Sequence, residues 1–241
     1  KALVEIINSQ KPDSMAIAFD LRQPTFRHEA DENYKADRVE TPEDFTIDIQ
    51  NLYLLLRALN LPTVTAVGFE ADDVLGTLAG RASREGYQVK ILSGDKDMFQ
   101  LVNDRDRVSV LYLSSAYAQS GPSTIEMNEQ GVVDKMGVTA AQIIDYKALC
   151  GDKSDSIPGV RGIGDKTAVK LLTEYQDLQT IYDRVDEIQG ATGKRLVAGR
   201  DDANHSQYLA KIITDVPLEI ELRETKLTGF DFQQVQPLLQ T

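Results

Sequence analysis

Cysteine is nearly absent from this sequence, because Cys150 is the only thiol among its 241 residues. A single thiol cannot form a disulfide within the chain, and this scarcity suits a reducing compartment. It also cannot build a cysteine-rich zinc site, which takes several thiolate ligands. We therefore expect Cys150 to be a buried, inert thiol.

Long apolar runs are also absent. No stretch approaches the roughly 20 apolar residues that a membrane-spanning helix needs. No secretory signal is visible, although the chain opens on Lys1, so a leader could precede it. Hydrophobic residues make up 41% and charged residues 27%, as in ordinary globular proteins. We expect a cytoplasmic protein without a membrane partner, built as one large domain or two small ones.

Basic residues are outnumbered, with 26 Lys and Arg against 38 Asp and Glu and a net charge of −12. Proteins that bind nucleic acid usually carry basic patches, so the net charge alone disfavours a DNA partner. That inference weakens if metals bind, because divalent ions offset acidic charge locally while the remaining cations cluster on one face. The charge therefore leaves DNA as an open possibility.

Eight of the acidic residues fall in four tight clusters, and most of them follow an apolar run where a strand would end. Converging carboxylates repel one another unless a hard cation such as Mg²⁺ or Mn²⁺ lies between them. The pattern therefore predicts a metal-dependent enzyme that handles phosphate. The clusters are Asp20; Glu70, Asp72 and Asp73; Asp95 and Asp97; and Asp152 and Asp155.

Each cluster has a simpler interpretation when it is taken alone. Glu70 and Asp73 are three residues apart, so they share a helix face whose acidic first turn would complement the helix dipole. Asp95 and Asp97 alone would be a solvated turn after a strand. Asp72 adds a third carboxylate, which is more than capping of a helix requires. Four such clusters together favour metal binding.

Short apolar runs alternate with helical segments in the first half of the chain. This alternation predicts an α/β fold with a mostly parallel central sheet and flanking helices. Ligands of such sheets bind beyond the carboxyl ends of the strands, which brings the acids to one edge. The predicted strands are 15–19, 63–67, 87–92 and 108–113, and the helices between them start at the cap Thr41-Pro42 and near Glu70.

The pattern changes to short helices after about residue 124, which predicts two domains. Residues 1–123 form the α/β core, with an arch region at about 26–45, and residues 124–241 form a helical lobe. The Gly- and Ser-containing stretch 114–123 is the candidate boundary. Residues 216–220 are either a late strand or an extended arm.

A glycine-rich segment, 159–164, precedes an apolar helix. Glycines allow positive φ and close backbone approach, and a helix that begins after Gly164 would present its N–H groups to a phosphate. Lys166 and Lys170 would share one face of that helix. A plain glycine turn is the alternative, but the Lys-Thr-Ala continuation favours a helix-hairpin-helix at about 143–175 that grips the DNA backbone without reading sequence.

The segment 26–38 between Asp20 and the Thr41 cap carries three cations and two aromatic residues. Such residues could hold single-stranded nucleic acid through phosphate pairing and base stacking. A solvated connection is an equally good interpretation of this composition. We interpret His28 as a local hydrogen-bonding residue and assign no function to His205.

Taken together, these motifs resemble the 5′ nuclease domains of bacterial DNA polymerases I, which are members of the flap endonuclease family. The resemblance covers nearly the whole chain, with the motifs in family order. They are Phe19-Asp20, Phe26-Arg27-His28, Tyr34-Lys35, Thr41-Pro42-Glu43-Asp44-Phe45, Glu70-Ala71-Asp72-Asp73-Val74-Leu75, Gly94-Asp95-Lys96-Asp97, Gly151-Asp152-Lys153-Ser154-Asp155 and Gly159-Val160-Arg161-Gly162-Ile163-Gly164.

The resemblance implies a PIN-like 5′→3′ exonuclease and flap endonuclease of replication and repair, acting on nicked, flapped or 5′-ended duplex DNA. It implies that the eight acids hold two Mg²⁺ or Mn²⁺ ions, one of which activates water. Lys35 best matches the basic residue that relatives place near the scissile phosphate, with Arg27 and Arg38 as further candidates. In some relatives the hairpin also binds K⁺. The residues that the resemblance implies for DNA binding are Tyr34, Gly159, Gly162, Ile163, Gly164, Lys166, Thr167 and Lys170.

One departure from the family pattern matters. The family opens with a strand that bears Asp-Gly and a further ligand Asp, whereas Lys1 aligns with a helix downstream of it. We therefore expect the 241-residue chain alone to be weakly active or inactive, and a DNA-binding module is the alternative function. A phosphatase of small phosphoesters is the second alternative, but it leaves the hairpin without a role. The ending 227–239 resembles a junction with a polymerase domain, and such a protein would be associated with the nucleoid.

Overall fold

The computed structural model describes residues 2–38, 43–113 and 124–229, together with 233, 235 and 236. Contacts divide the chain into two compact units. The first contains Lys1–Thr25, Val39–Arg81 and Ile213–Thr241, and the second contains Phe26–Arg38 and Ala82–Ile212. The predicted boundary at 114–123 and the predicted cap Thr41-Pro42 lie outside the described residues.

The described residues form helices along the whole chain, as the sequence pattern predicted. The predicted helix near Glu70 is α4, and the predicted helix-hairpin-helix corresponds to α6 and α7. The helices are α1 (Ala2–Gln10), α2 (Phe26–Ala30), α3 (Glu43–Ala58), α4 (Ala71–Arg84), α5 (Glu129–Met136), α6 (Ile143–Cys150), α7 (Asp165–Tyr175), α8 (Leu178–Asp183), α9 (Gly190–Ala198) and α10 (Arg200–Ala210).

The strands fall in two small sheets within the described residues, where the sequence predicted one central sheet. The parallel pairing of β1 with β2 and of β3 with β4 agrees with that prediction. β5 runs antiparallel to β4, whereas the sequence pattern places these residues in the helical lobe. A strand of four residues is too short for its alternating pattern to be recognised. The strands are β1 (Ile17–Ala18), β2 (Thr63–Val64), β3 (Val89–Ser93), β4 (Val108–Leu113) and β5 (Thr124–Met127).

In the first unit, α4 packs its buried side chains Val74 and Leu78 against Val64 of β2. The segment after Ile213 is extended and covers this core with Leu218 and Ile220. It forms no regular strand at 216–220, so the extended arm is the alternative that the structure adopts. Burial of this apolar surface fixes the start of α4, where three of the predicted ligands lie.

In the second unit, β4 is the middle strand, and its Val110 is fully buried. A short 3₁₀ helix, Lys96–Leu101, follows β3 and buries Met98 and Phe99 completely. These two side chains anchor the turn that carries Asp95 and Asp97. Helices α6 and α10 pack closely against each other in the same unit.

Cys150 ends α6 and is partly buried. Burial raises the pKa of this thiol to about 11. A thiol with so high a pKa is almost entirely protonated near neutral pH, and the thiolate is the reactive form. The placement agrees with an inert cysteine. Within the described part of the chain, no helix combines the length and apolar composition that crossing a membrane requires.

Candidate functional site

The first acidic group lies at the start of α4 in the first unit. Asp20 follows β1, and its Oδ1 accepts a hydrogen bond of 2.7 Å from the backbone N–H of Ala71. Glu70 immediately precedes the helix and is buried, whereas Asp72 in the first turn is partly exposed. The fold thus brings Asp20 to the helix start that carries the second cluster. The sequence predicted that the clusters meet at one sheet edge, and the structure brings these two together, whereas Asp95 follows β3 of the other sheet.

Asp73 differs from its neighbours because it is completely buried. Its Oδ2 accepts the N–H of Glu70 at 3.0 Å, and its Oδ1 accepts the N–H of Ile213 at 2.8 Å. Both carboxylate oxygens are therefore engaged by the backbone. This geometry favours a structural role, in which Asp73 joins the start of α4 to the arm after Ile213. A direct metal contact for Asp73 stays a prediction.

The second acidic group lies in the second unit and is built around a lysine. Asp95 caps the 3₁₀ helix, where its Oδ1 accepts the N–H of Asp97 at 2.8 Å. The Lys147 ammonium, on α6, contacts Oδ1 of Asp97 and lies 2.5 Å from Oδ2 of Asp152. Two acids from distant parts of the sequence therefore converge on one buried cation, whose side chain is 7% exposed.

The charges around Lys147 are not balanced. Burial raises the pKa of Asp97, Lys147 opposes this, and the charges of Asp95 and Asp152 add to the rise. Burial alone would lower the pKa of Lys147, but Asp97 and Asp152 raise it, so the ammonium stays charged. One ammonium therefore faces the carboxyl groups of Asp95, Asp97 and Asp152, an oxygen-rich set with which a further cation can interact favourably.

The donor chemistry of both groups fits a hard divalent cation, which prefers carboxylate oxygens. In the second unit, the lysine ammonium between Asp97 and Asp152 shows that their oxygens can surround a cation. The residues that would hold a metal are Asp95, Asp97 and Asp152 there, and Asp20, Glu70 and Asp72 in the first unit. Among the residues that the structure describes, no three His, Cys, Asp or Glu side chains are already grouped to hold a metal ion.

Asp155, the remaining predicted ligand, is buried against the arch residues. Its Oδ1 accepts a 2.6 Å hydrogen bond from Arg38, and Lys35 Nζ lies 3.9 Å from Oδ2. Its backbone carbonyl accepts the N–H of Lys35, whose φ is +57°. Asp155 therefore holds the end of the arch in the described structure, and its role as a metal ligand stays a prediction.

Arg27 is almost completely buried, at 2% exposure. Its guanidinium donates to the carbonyls of Leu209 at 2.9 Å and Lys211 at 2.6 Å, at the end of α10. It also lies 4.4 Å from the ring centroid of Phe26. These contacts favour a structural role over the predicted catalytic one. Within residues 26–38, which include α2, Arg27 and Tyr34 are buried, while most of the other side chains are exposed.

Tyr34 is also part of this packing, although the resemblance implied that it binds DNA. It is buried at 3% exposure in a cluster with Ile157, Leu209 and Ala210. His28 stacks edge-on against Tyr34, with ring centroids 5.3 Å apart. His205, to which no function was assigned, pairs with Asp31 at 2.9 Å and lowers the pKa of that carboxyl. These contacts fix α2 on α10.

The predicted DNA-binding residues of the hairpin between α6 and α7 are partly buried and partly exposed. Gly159 and Ile163 are buried and serve the packing of the turn. Gly162, with φ +85°, and Gly164, which begins α7 without a side-chain cap, are exposed. Exposed backbone at a helix start suits a phosphate group. The remaining three lie on α7: Lys166 and Lys170 are exposed, and Thr167 is partly so.

Two residues near these groups were missed in the sequence. Lys147 lies four residues after Ile143, on the same face of α6, and a lysine on this buried face was the signal that could have found it. Arg195 is exposed on α9 and donates a 3.1 Å hydrogen bond to the carbonyl of Gly162. Nothing in the sequence around Arg195 indicates this contact, because 33 residues separate the partners.

Two family descriptions match the chain. The 5′-3′ exonuclease N-terminal resolvase-like domain matches residues 1–137, and the 5′-3′ exonuclease C-terminal SAM fold matches residues 138–233. DNA polymerase I of Synechocystis sp. is 57% identical over 239 residues, covering 99% of this chain and 24% of the relative. DNA polymerase I of Bacillus caldotenax is 40% identical over 238 residues, covering 98% of this chain and 26% of the relative. The chain thus spans about a quarter of the length of these relatives.

Solved structures show the same fold. The 5′-exonuclease of bacteriophage T5 with bound zinc matches with a TM-score of 0.71 at 23% identity, over 88% of this chain and 79% of that one. The T5 flap endonuclease in complex with DNA and metal ions matches with a TM-score of 0.70 over the same shares. The family descriptions together account for nearly the whole sequence, and the chain belongs to the 5′-3′ exonuclease family.

Proposed function

We propose that this chain is a magnesium-dependent 5′ nuclease that hydrolyses phosphodiesters of nicked, flapped or 5′-ended duplex DNA. The observation that carries the proposal is the convergence of Asp97 and Asp152 on a buried cation. Acids that meet in this way are arranged for a positive charge, which is what phosphoryl transfer needs near its anionic centre. Family membership supplies the substrate class.

Each group of residues has its own task in this proposal. Asp95, Asp97 and Asp152 would hold a divalent ion, as would Asp20, Glu70 and Asp72 in their own unit. A bound Mg²⁺ supplies Lewis-acid charge and lowers the pKa of a water ligand. Asp73 and Asp155 orient the segments that carry these ligands. Lys35 and Arg38 are the arch cations that we propose to face the DNA, since Arg38 is about half exposed while it contacts Asp155.

The exposed end of the hairpin would bind the duplex backbone. Gly164 leaves the start of α7 open, since a Cβ there would meet nothing within 4 Å, whereas the Arg195 side chain lies against Gly162. Lys166 and Lys170 follow on the same helix. These groups contact phosphates without reading bases, which suits an enzyme that recognises DNA structure. A K⁺ ion at the hairpin is a further part of this proposal. The proposed contact with DNA is supported by the T5 and Rad2 structures, which contain DNA.

The relatives also support a wider context. Because the chain spans about a quarter of DNA polymerase I from Synechocystis, we propose that it is continuous with a polymerase domain. We propose a cytoplasmic, nucleoid-associated location on the same grounds. We keep the division into an α/β core up to residue 123 and a helical lobe from 124 as a proposal. The two family descriptions, which meet at residues 137 and 138, support a two-part organisation.

The test uses a 5′-flap duplex with a label at its 5′ end. A nuclease releases the labelled flap in Mg²⁺ and binds the duplex without cleaving it in EDTA. A DNA-binding module binds the duplex in Mg²⁺ and in EDTA and cleaves it in neither. Binding without cleavage in Mg²⁺ would favour the module. Loss of binding, with turnover of a small phosphomonoester, would support a phosphatase instead.

We expect Arg195→Gln to weaken binding of the flap duplex in EDTA by about three- to tenfold. The slope of the logarithm of the binding constant against the logarithm of the salt concentration should fall in magnitude by about one. The reason is that Arg195 braces the carbonyl of Gly162 and adds charge beside the open hairpin. Fluorescence anisotropy at several salt concentrations measures both quantities. Arg184→Gln is the matched control, because Arg184 is exposed and already pairs with Glu187 at 2.5 Å. An unchanged slope in Arg195→Gln would exclude Arg195 from the interface.

A further inference from the structure

We propose that Lys147 is a resident cation of the candidate metal site, which holds Asp97 and Asp152 together in the metal-free protein and limits the affinity of the site for a divalent ion. This inference rests on the proposed function, because it assumes that these acids are metal ligands. Lys147 itself acts as a positioning residue: it touches the acids rather than DNA.

Lys147 lies among the buried residues of α6. The helix buries Ile143, Ala148 and Leu149 completely, and Lys147 is buried with them at 5% exposure. Lysine is almost never buried unless it is paired. An apolar side chain would satisfy the core at this position, and buried ion pairs are often no more stabilising than apolar packing. Stability therefore gives no reason for a lysine here.

The two partners of Lys147 come from separate segments of the chain. Asp97 lies in the 3₁₀ helix after β3, and Asp152 lies in the loop that follows α6. Oδ1 of Asp152 is occupied by Ser154, whose N–H and hydroxyl donate at 2.8 Å and 2.6 Å, so Oδ2 is the oxygen that faces Lys147. The ammonium is thus the group that joins the two segments through their carboxylates.

A divalent ion and the Lys147 ammonium would compete for the same carboxylate oxygens. A divalent ion between Asp97 and Asp152 must share or displace the ammonium, and two positive groups at such short separation repel each other. Without Lys147, the two carboxylates would repel each other in the metal-free state, and a metal would gain more by binding. Lys147 therefore stabilises the empty site and weakens the occupied one. A purely structural lysine would have only the first effect.

The test is titration of Mn²⁺ alone into the 241-residue chain by calorimetry, with thermal unfolding in EDTA and in Mn²⁺. We expect Lys147→Met to bind Mn²⁺ at least about tenfold more tightly, because a nearby positive charge is removed. We expect its thermal midpoint in EDTA to fall by about 5–10 °C, since two buried acids lose their partner, and Mn²⁺ to restore most of this loss. Lys147→Arg keeps the charge and should bind within about threefold of the wild type.

The matched control is Lys90→Met, which removes the same charge from an ion pair with Glu126 at 2.8 Å. We expect its Mn²⁺ affinity to stay within about twofold of the wild type. A folded Lys147→Met with unchanged or weaker Mn²⁺ affinity would overturn the inference. If Lys147→Met does not fold, Lys147→Gln decides in the same way, because its amide still donates to one carboxylate. If no variant binds Mn²⁺, the inference fails, whereas the proposed nuclease is judged separately by flap cleavage in Mg²⁺.

Discussion

Replacing Gly159 by alanine is expected to destabilise the second unit by about 4 kcal/mol or more, which lowers its thermal midpoint by roughly 10 °C. Gly159 has a φ of +62°, which disfavours any side chain. A Cβ at this position would overlap the backbone nitrogen of Gly151 and lie 2.7 Å from the carbonyl carbon of Cys150. The three nearest atoms all belong to the backbone of Cys150 and Gly151, which cannot move aside as the end of a flexible side chain could.

The same substitution also disturbs a buried hydrogen bond, since the N–H of Gly159 donates to Oγ of Ser206 at 2.9 Å. Thermal unfolding by circular dichroism measures the effect. Gly164→Ala is the matched control, because its Cβ would meet nothing within 4 Å and its φ is −111°. We expect Gly164→Ala to shift the midpoint by no more than about 3 °C. Equal shifts in the two variants would show that Gly159 is not a packing glycine.

Replacing Arg27 by alanine is expected to lower the free energy of unfolding by about 3–5 kcal/mol. The variant loses two charge-assisted hydrogen bonds and leaves the carbonyls of Leu209 and Lys211 without this donor. It also loses the packing on the ring of Phe26. Denaturant unfolding would measure the change.

The size of this loss distinguishes the two roles of Arg27. A residue that acts only on the scissile phosphate would lower cleavage and leave stability unchanged. The matched control is Arg184→Ala, which removes an arginine from an exposed ion pair and should leave the denaturant midpoint almost unchanged. A fully stable Arg27→Ala would return Arg27 to the catalytic candidates.

Sequence reasoning was most successful where a pattern depends on neighbours in the chain. The strand 108–113, the start of α4 and the two helices around the hairpin follow from local periodicity and caps, and β1 pairs with β2 in parallel as predicted, although β2 ends at Val64 rather than at residue 67. Composition and spacing are sufficient for such features. That the clusters of acids mark a metal site stays a prediction.

The roles of individual side chains depend on partners that are distant in sequence. Asp73 looks like a ligand beside Asp72, but a backbone N–H 140 residues away takes one of its oxygens. Arg27 looks like an arch cation until the carbonyls at the end of α10 surround it. Lys147 looks like an ordinary helical lysine until Asp97, 50 residues away, meets it. None of these contacts has a local signal that fixes it.

The central claim is that the acids around Lys147 bind the metal that a 5′ nuclease needs. The most direct measurement compares Mg²⁺-dependent flap cleavage by the chain with that by its Asp97→Asn, Asp152→Asn double variant. Binding of the flap duplex in EDTA serves as the control for folding. The account predicts that cleavage falls by about a thousandfold or more while DNA binding stays within about threefold. Cleavage by the double variant within tenfold of the wild-type rate would contradict it.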